Sequence, residues 1–433
     1  MTETARFEGP SDQELFGIAS EWGTPSFVFD LGVFRRRLTE CQQIVGPSVG
    51  LCYAMKANPF LIEAAAGCVA KLEVCSPGEL TLCEQAGIAP GQIVYSGVNK
   101  ELTDIAEAID YQVGVLTAES LLHVEYINQV ACEKGLVVDV LLRLNSGSQF
   151  GMSREDLLWV VDHRQQFPGI NLVGLHYFVY TQRKKLKRQR KELEMLVEFM
   201  GLLKTQHGFE VQRLEYGPGL GVPYFTDDDF SDTLAPIKEM APLLQEIAQG
   251  VELTVEMGRF FATSCGTYLT CVKDQKSNEG TNYVILDGGM NHLTYFGQTM
   301  GLHVPISTNP SLSQRRGLFG ETSCLAEGTA AQEASAPVQE ILAPAQEAQT
   351  EWCLCGSLCT VNDVLVRSVP LADLQRGDVL AFHNTGAYSV TEGVYLFLSR
   401  TMPRILLRDE DGRIILARDF TESSRFNGRF GCL

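Results

Sequence analysis

No run of about eighteen uncharged apolar residues occurs in the chain, and its opening MTETARFEGPSDQEL carries acids without an apolar stretch. A membrane span and a secretory signal are therefore not expected, and a cytoplasmic location is. Positive charge is also scarce, with 35 Lys and Arg against 53 Asp and Glu for a formal net charge of -18. Such an acidic surface argues against nucleic acid and anionic membranes as partners. The thirteen cysteines are an odd number scattered through apolar stretches, as with Cys52, Cys75, Cys83 and Cys271, and lack the dense spacing of a disulfide scaffold. They read as reduced cytosolic thiols. Cys353, Cys355 and Cys359 approach metal-ligand spacing, but neither a second pair nor a nearby His-x-x-His completes a zinc site, so no metal is expected.

A chain of 433 residues suits two domains. Short apolar runs fall at Gly50 to Met55, Leu72 to Cys75, Ile93 to Ser96, Val113 to Leu116, Val138 to Leu144, Leu172 to His176, Arg213 to Tyr216 and Glu252 to Glu256. Between them lie amphipathic stretches such as Pro59 to Ala70, Pro77 to Ala86, Leu102 to Ile109 and Glu192 to Thr205. This alternation predicts an α/β fold, a TIM (β/α)8 barrel over residues 28-262. Beyond it, β-branched alternating runs at Gly266 to Lys273, Asn282 to Asp287, Val361 to Val366, Asp378 to Phe382 and Arg404 to Leu407 predict a C-terminal antiparallel β domain. That domain is expected to span 263-433 together with 1-27, with Pro25 to Leu31 adding a strand to it. No Lys or Arg occurs between Arg316 and Arg367, and residues 326-350 are rich in Ala, Gln, Glu, Ser and Pro, so an exposed mobile insertion is expected at 318-350.

In a barrel of this kind the strands' C-terminal ends gather the chemistry. Lys56 sits at such an end, where burial could strip its proton and make it a Schiff-base nucleophile, although lysines often end strands only to reach water. The glycine-rich Gly217-Pro218-Gly219-Leu220-Gly221 follows the seventh strand and could cradle a phosphate, or make an ordinary turn. Glu256 could keep a pyridine nitrogen protonated, as pyridoxal phosphate requires, or could simply pair with Arg259. Cys359 could return a proton to a carbanion and Tyr388 could donate to a phosphate, though both residue types are commonly plain core.

The order Tyr53-Ala54-Met55-Lys56-Ala57-Asn58, Ser76-Pro77-Gly78-Glu79-Leu80, Gly97-Val98-Asn99-Lys100, Phe150-Gly151, Gly174-Leu175-His176, Tyr216-Gly217-Pro218-Gly219, Glu256-Met257-Gly258-Arg259, Asp287-Gly288-Gly289-Met290, Cys359 with Asp363, and Gly386-Ala387-Tyr388 resembles the fold type III pyridoxal-phosphate decarboxylases. These are the diaminopimelate, ornithine and arginine decarboxylases, related to alanine racemase, and the likeness runs from about residue 24 to 400. The resemblance implies an alanine-racemase-like fold and a head-to-tail homodimer with shared active sites. It implies that Lys56 carries pyridoxal 5'-phosphate, that Gly217, Gly219, Thr181 and Tyr388 hold its phosphate, and that Glu256 faces the ring nitrogen. Glu79, His176, Gly258 and Arg259 would complete the cofactor site, and Cys359 of the neighbouring subunit would be the proton donor. The reaction implied is loss of the α-carboxyl group of an amino acid as carbon dioxide.

Three departures bear on the substrate. Phe178 stands where the family commonly has a ring-stacking histidine, and its face can still stack. Thr360 follows Cys359 where the diaminopimelate and ornithine enzymes have an acid for a distal ammonium, so a cationic end would go unpaired. After Met290 the chain reads Asn291-His292-Leu293-Thr294-Tyr295-Phe296 and lacks the diaminopimelate enzymes' arginine; Thr360, Asp363, Asn291 and His292 are the expected substrate contacts. Together these look like a biosynthetic branch that includes decarboxylases of carrier-protein-tethered aminoacyl groups. The basic cluster Arg183, Lys184, Lys185, Lys187 and Arg188, continuing to Arg190 and Lys191, could dock an acidic acyl carrier protein, or be a solvated helix face. The alternatives are a free diamino acid decarboxylase, a racemase, and a catalytically silent regulatory homologue.

Overall fold

The first strand, β1 (Ser26–Asp30), belongs to the second sheet rather than the barrel. The chain then enters a closed barrel of β2 (Val49–Ala54), β3 (Lys71–Val74), β4 (Ile93–Tyr95), β5 (Val115–Ala118), β6 (Val138–Arg143), β7 (Ile170–Phe178), β8 (Arg213–Gly217) and β9 (Glu252–Met257) in this computed structural model, which describes residues 9–322 and 349–428. All neighbours pair in parallel, and β9 closes on β2 with Cys52 opposite Glu256. Serine N-caps start several of the covering helices: Ser76, Ser120 and Ser153 each accept a backbone N–H three residues on.

Two helices differ from expectation for local reasons. The stretch predicted over Pro59 to Ala70 is a 3-10 turn, Pro59–Leu61, followed by a short helix, Ile62–Ala66, that stops at Gly67. Asn58 caps this turn by accepting the Phe60 N–H, and Pro59 has none to give. The helix predicted from Glu192 begins earlier and runs Lys187–His207, ending at Gly208 with φ +58°. Its first turn therefore carries cations and no acid, which the helix dipole disfavours.

The second sheet contains β10 (Gly266–Asn278), β11 (Thr281–Leu286), β12 (Ser307–Thr308), β13 (Gln349–Cys355), β14 (Val364–Ala372), β15 (Val379–His383), β16 (Arg404–Arg408) and β17 (Ile414–Arg418). Its main path runs β14-β13-β11-β10-β1-β16-β17, with β15 joined to β10 and β12. It is mostly antiparallel; β1 pairs in parallel with β16, and β11 with β13. The expected insertion at 318-350 falls largely on residues 323–348, outside those described, but its ends are part of the fold. The helix Pro310–Thr322 takes one end and β13 the other. Cys353 and Cys355 lie on β13 with their Sγ atoms 3.7 Å apart. The strand predicted from Val361 starts only at Val364, because residues 357–363 form a loop tied down by Asp363.

Asn291 and His292, expected at the substrate, instead face the interior of the second domain with 0% and 2% of their surface exposed. The Asn291 amide pairs with His292 Nε2 at 2.9 Å, and His292 Nδ1 meets the Tyr268 hydroxyl at 3.1 Å. Burial pulls the His292 pKa down from 6.5 to about 4, so the folded state keeps the ring neutral while the unfolded chain takes up a proton. Stability should therefore fall as pH drops from 6.5 to about 4, by about 3 kcal/mol from this group. Denaturant unfolding of wild type and His292→Gln across that window should show the shallower slope in the variant; parallel slopes would refute the assignment.

Candidate active site

The floor of the site is a cluster of charged side chains on the barrel strands. Lys56 lies in the 3-10 turn Met55–Ala57 immediately after β2, and its Nζ donates to Glu73 Oε2 at 2.6 Å. It also lies 3.6 Å from Glu256 Oε1 and 3.6 Å from Cys75 Sγ. His176 Nε2 meets the other Glu256 oxygen at 3.0 Å. Burial would lower the Lys56 pKa, as the sequence suggests, but Cys75, Glu73 and Glu256 outweigh it and hold the ammonium well above its usual range. The resting lysine is a cation with its counter-ions in place. Burial opposes the Glu256 charge, yet Lys56 and His176 hold that carboxyl well below the normal value. Glu215 has an unpartnered Oε1, and burial together with Glu256 and Glu73 pushes its carboxyl well up, towards the neutral form. Ligand atoms of His176, Glu215 and Glu256 lie within 4.8 Å of one another, close enough for a metal ion, but Glu256 is already committed to Lys56 and His176.

Above this floor is a cleft lined by Lys56, Phe178, Thr181, Gly219, Glu256, Gly258, Arg259 and Tyr388, which are thus brought together. The glycine turn leaves it no alternative residues. Gly219 has φ +60°, and a Cβ there would collide with the Tyr180 carbonyl, while a Cβ on Gly217 would enter the Phe178 ring. Behind the turn, the Arg183 N–H donates to the Gly219 carbonyl at 2.9 Å, and the Gln189 amide and the Arg183 guanidinium donate to the Pro218 carbonyl. Tyr388 reaches the cavity from the second domain with φ +66°, a conformation rare for tyrosine, secured by its N–H on the Ala57 carbonyl at 2.6 Å. The Arg259 guanidinium lies 4.3 Å from the Tyr388 ring centre and 4.9 Å from that of Phe296, and donates to the Tyr224 hydroxyl at 2.8 Å and to Thr181 Oγ1 at 3.2 Å.

Other expected residues lie elsewhere. Glu79 accepts the Cys75 N–H at 2.7 Å at the start of its helix, a framework position outside the cavity lining. Cys359 and Thr360 sit on the loop after β13, outside the cavity lining, with Cys359 exposed. Asp363, expected at the substrate, is buried and accepts the Met290 and Leu358 N–H groups at 2.8 Å each, so it shapes that loop. Sequence reasoning missed Glu73 and Glu215. Both lie inside their predicted strands, Leu72 to Cys75 and Arg213 to Tyr216, whereas Glu256 stood out by ending its own.

The cavity suits pyridoxal phosphate. Its glycine turn, Thr181 and Tyr388 offer donors for a phosphate, Phe178 offers a ring face, Glu256 a carboxylate for the ring nitrogen, and Lys56 an amine. A parallel barrel joined to a β domain, with this lysine at its mouth, defines a cofactor-dependent enzyme of the alanine-racemase-like fold. Residues 31–263 match the family model described as pyridoxal-dependent decarboxylase, pyridoxal binding domain, and the chain belongs to that family. It is 25% identical to a diaminopimelate decarboxylase of Aquifex aeolicus, over 95% of this chain and 92% of that one. It is 24% identical to the L-glutamyl-[BtrI acyl-carrier protein] decarboxylase of Niallia circulans, over 94% of each. Among solved structures, diaminopimelate decarboxylase from M. jannaschii in complex with L-lysine superposes with a TM-score of 0.75 at 24% identity, covering 98% of this chain and 95% of that one. The protein is a pyridoxal-phosphate-dependent amino acid decarboxylase.

Bound here, the cofactor supplies the electron sink that lets an α-carboxyl group depart as carbon dioxide. This chain's residues hold Lys56 protonated until it is needed and keep Glu256 ionised beneath. Replacing Glu73 by Gln should lower the Lys56 pKa by about one unit or more, because it removes the nearest counter-charge. The pH dependence of cofactor uptake by the cofactor-free protein, followed by visible absorbance, should shift down accordingly; an unshifted profile would show that Glu73 does not hold the lysine's proton.

Proposed function

We propose that this decarboxylase acts on an acidic amino acid tethered to an acyl carrier protein in a specialised biosynthetic pathway. The observation that carries the reading is the cationic start of the helix Lys187–His207, where Lys185, Lys187, Arg188, Arg190 and Lys191 are exposed on a chain of net charge -18. Those charges oppose the helix dipole, so local stability does not account for them, and the segment adjoins the clamped glycine turn at the cavity. An acidic carrier would be steered there. Two members of the expected docking set have other work. Arg183 forms a two-pronged ion pair with Glu192, and Lys184 bonds Asp228 at 2.8 Å. Thr360, the missing arginine after Met290 and the likeness to the glutamyl-carrier enzyme of Niallia circulans support the same reading. The second reading, a free diamino acid decarboxylase, is favoured by the likeness to the Aquifex aeolicus diaminopimelate enzyme.

Reversing Lys185, Lys187 and Arg188 to Glu should lower kcat/KM about tenfold or more for a glutamyl carrier protein at low salt, mainly through association. Equal rates for wild type and the triple variant on carrier-linked substrate would end the docking role. Faster turnover of free diaminopimelate than of any carrier-linked substrate would favour the second reading.

We further infer a homodimer in which Cys359 and Thr360 enter the neighbouring subunit's site, Cys359 as proton donor. This rests on their projecting loop, where Val361 is 87% exposed. Lys56→Ala and Cys359→Ala, each inactive alone, should regain about a quarter of wild-type activity when mixed and allowed to exchange subunits. No recovery in a mixture shown to contain heterodimers would place both residues in one subunit's site.

A further inference from the structure

Tyr180 combines a fixed backbone with an exposed ring. Its carbonyl is packed so closely under Gly219 that no side chain fits there, and Thr181 next to it lines the cavity. Yet 59% of Tyr180 is exposed, which leaves its ring open to a ligand. Its ring lies edge-to-face on Phe296, with centres 6.2 Å apart and planes at 69°. Phe296 in turn backs onto the Arg259 guanidinium at 4.9 Å.

We propose that Tyr180 and Phe296 form an aromatic gate beside the cofactor cavity that selects substrates whose distal end is a long, uncharged arm, such as an amino acid bound through its side-chain carboxyl as a thioester of pantetheine, its α-carboxylate left free to depart. The proposal rests on the carrier-tethered reading above and adds the residues that recognise the arm. The charges of the cavity wall are already engaged: Lys56 with Glu73 and Glu256, and Arg259 among Tyr388, Phe296, Tyr224 and Thr181. A distal ammonium crossing the gate would shed water and meet the Arg259 guanidinium behind Phe296 in place of a counter-ion, whereas a chain of methylenes and amides loses little and gains ring contact. The chain direction fits as well. Tyr180 lies a few residues before the exposed cations Lys185, Lys187 and Arg188, so a phosphorylated arm held at that patch would lead its thioester end to the gate.

The test compares glutamyl-pantetheine, linked through the γ-carboxyl of glutamate so that the α-carboxylate is free, with free glutamate, by carbon dioxide release from wild type, Tyr180→Ala and Phe296→Leu, alongside calorimetric binding of pantetheine alone. Tyr180→Leu serves if the alanine variant fails to hold the visible cofactor band. The gate predicts that the ratio of kcat/KM for glutamyl-pantetheine to that for glutamate falls about tenfold in the variants, with a matching rise in the pantetheine Kd. An unchanged ratio, or pantetheine binding equal to wild type, overturns the gate while leaving carrier docking intact. If wild type prefers free glutamate, or uses neither, while the charge-reversed helix variant behaves as wild type with carrier substrate, the carrier reading itself fails.

Discussion

The ion contacts of Lys56 with Glu73 and Glu256 are what the site is arranged around. An ammonium and two carboxylates inside a barrel are tolerable only as a mutually compensated set, since any one alone would carry a large desolvation cost. Three strands supply the set, β3 giving Glu73, β9 giving Glu256 and the turn after β2 giving Lys56. Because β2 lies between β3 and β9 in the closed barrel, closure itself brings the three together. His176 on β7 then fixes the far side of Glu256. Glu215, adjacent on β8, is buried beside two carboxylates, and burial together with them discourages a third negative charge, so its proton limits the charge of the cluster.

A second set of contacts couples the cavity wall to the surface. The glycine turn is shaped by absence of side chains, and it keeps that shape because Arg183 and Gln189 grip its carbonyls from behind. Arg183 is itself held by Glu192, which also accepts from the Tyr216 hydroxyl at 3.1 Å. The cationic segment is thus built directly onto the turn, which explains why only part of it is free to meet a partner.

Much of this was legible because barrel strands alternate and their ends collect function. Lys56, Glu256, the glycine turn and Phe178 all stand at strand ends, so their place followed from counting strands. Glu73 and Glu215 were not, since a single acid in a four- or five-residue strand gives no sign of whether it faces the barrel axis or the helices. Asn291 and His292 misled for another reason. They follow β11 in an irregular stretch, where side-chain direction is set by tertiary packing against Tyr268 rather than by any period. Asp363 was placed near the right loop, but its carboxylate turned out to satisfy that loop's own N–H groups.

The site therefore divides into parts under different constraints. The floor admits little variation, because each ionised group is the counter-ion or hydrogen-bond partner of another. The rim has no such obligation. Tyr180 is largely exposed, Phe296 rests on the Arg259 guanidinium, and the exposed cations cluster on the helix beyond. A free diamino acid would need the reverse, an anionic group close to the cavity and nothing further out. On the carrier-tethered reading proposed above, the aromatic rim and the cationic surface would meet the neutral arm and the charged far end of one substrate in turn.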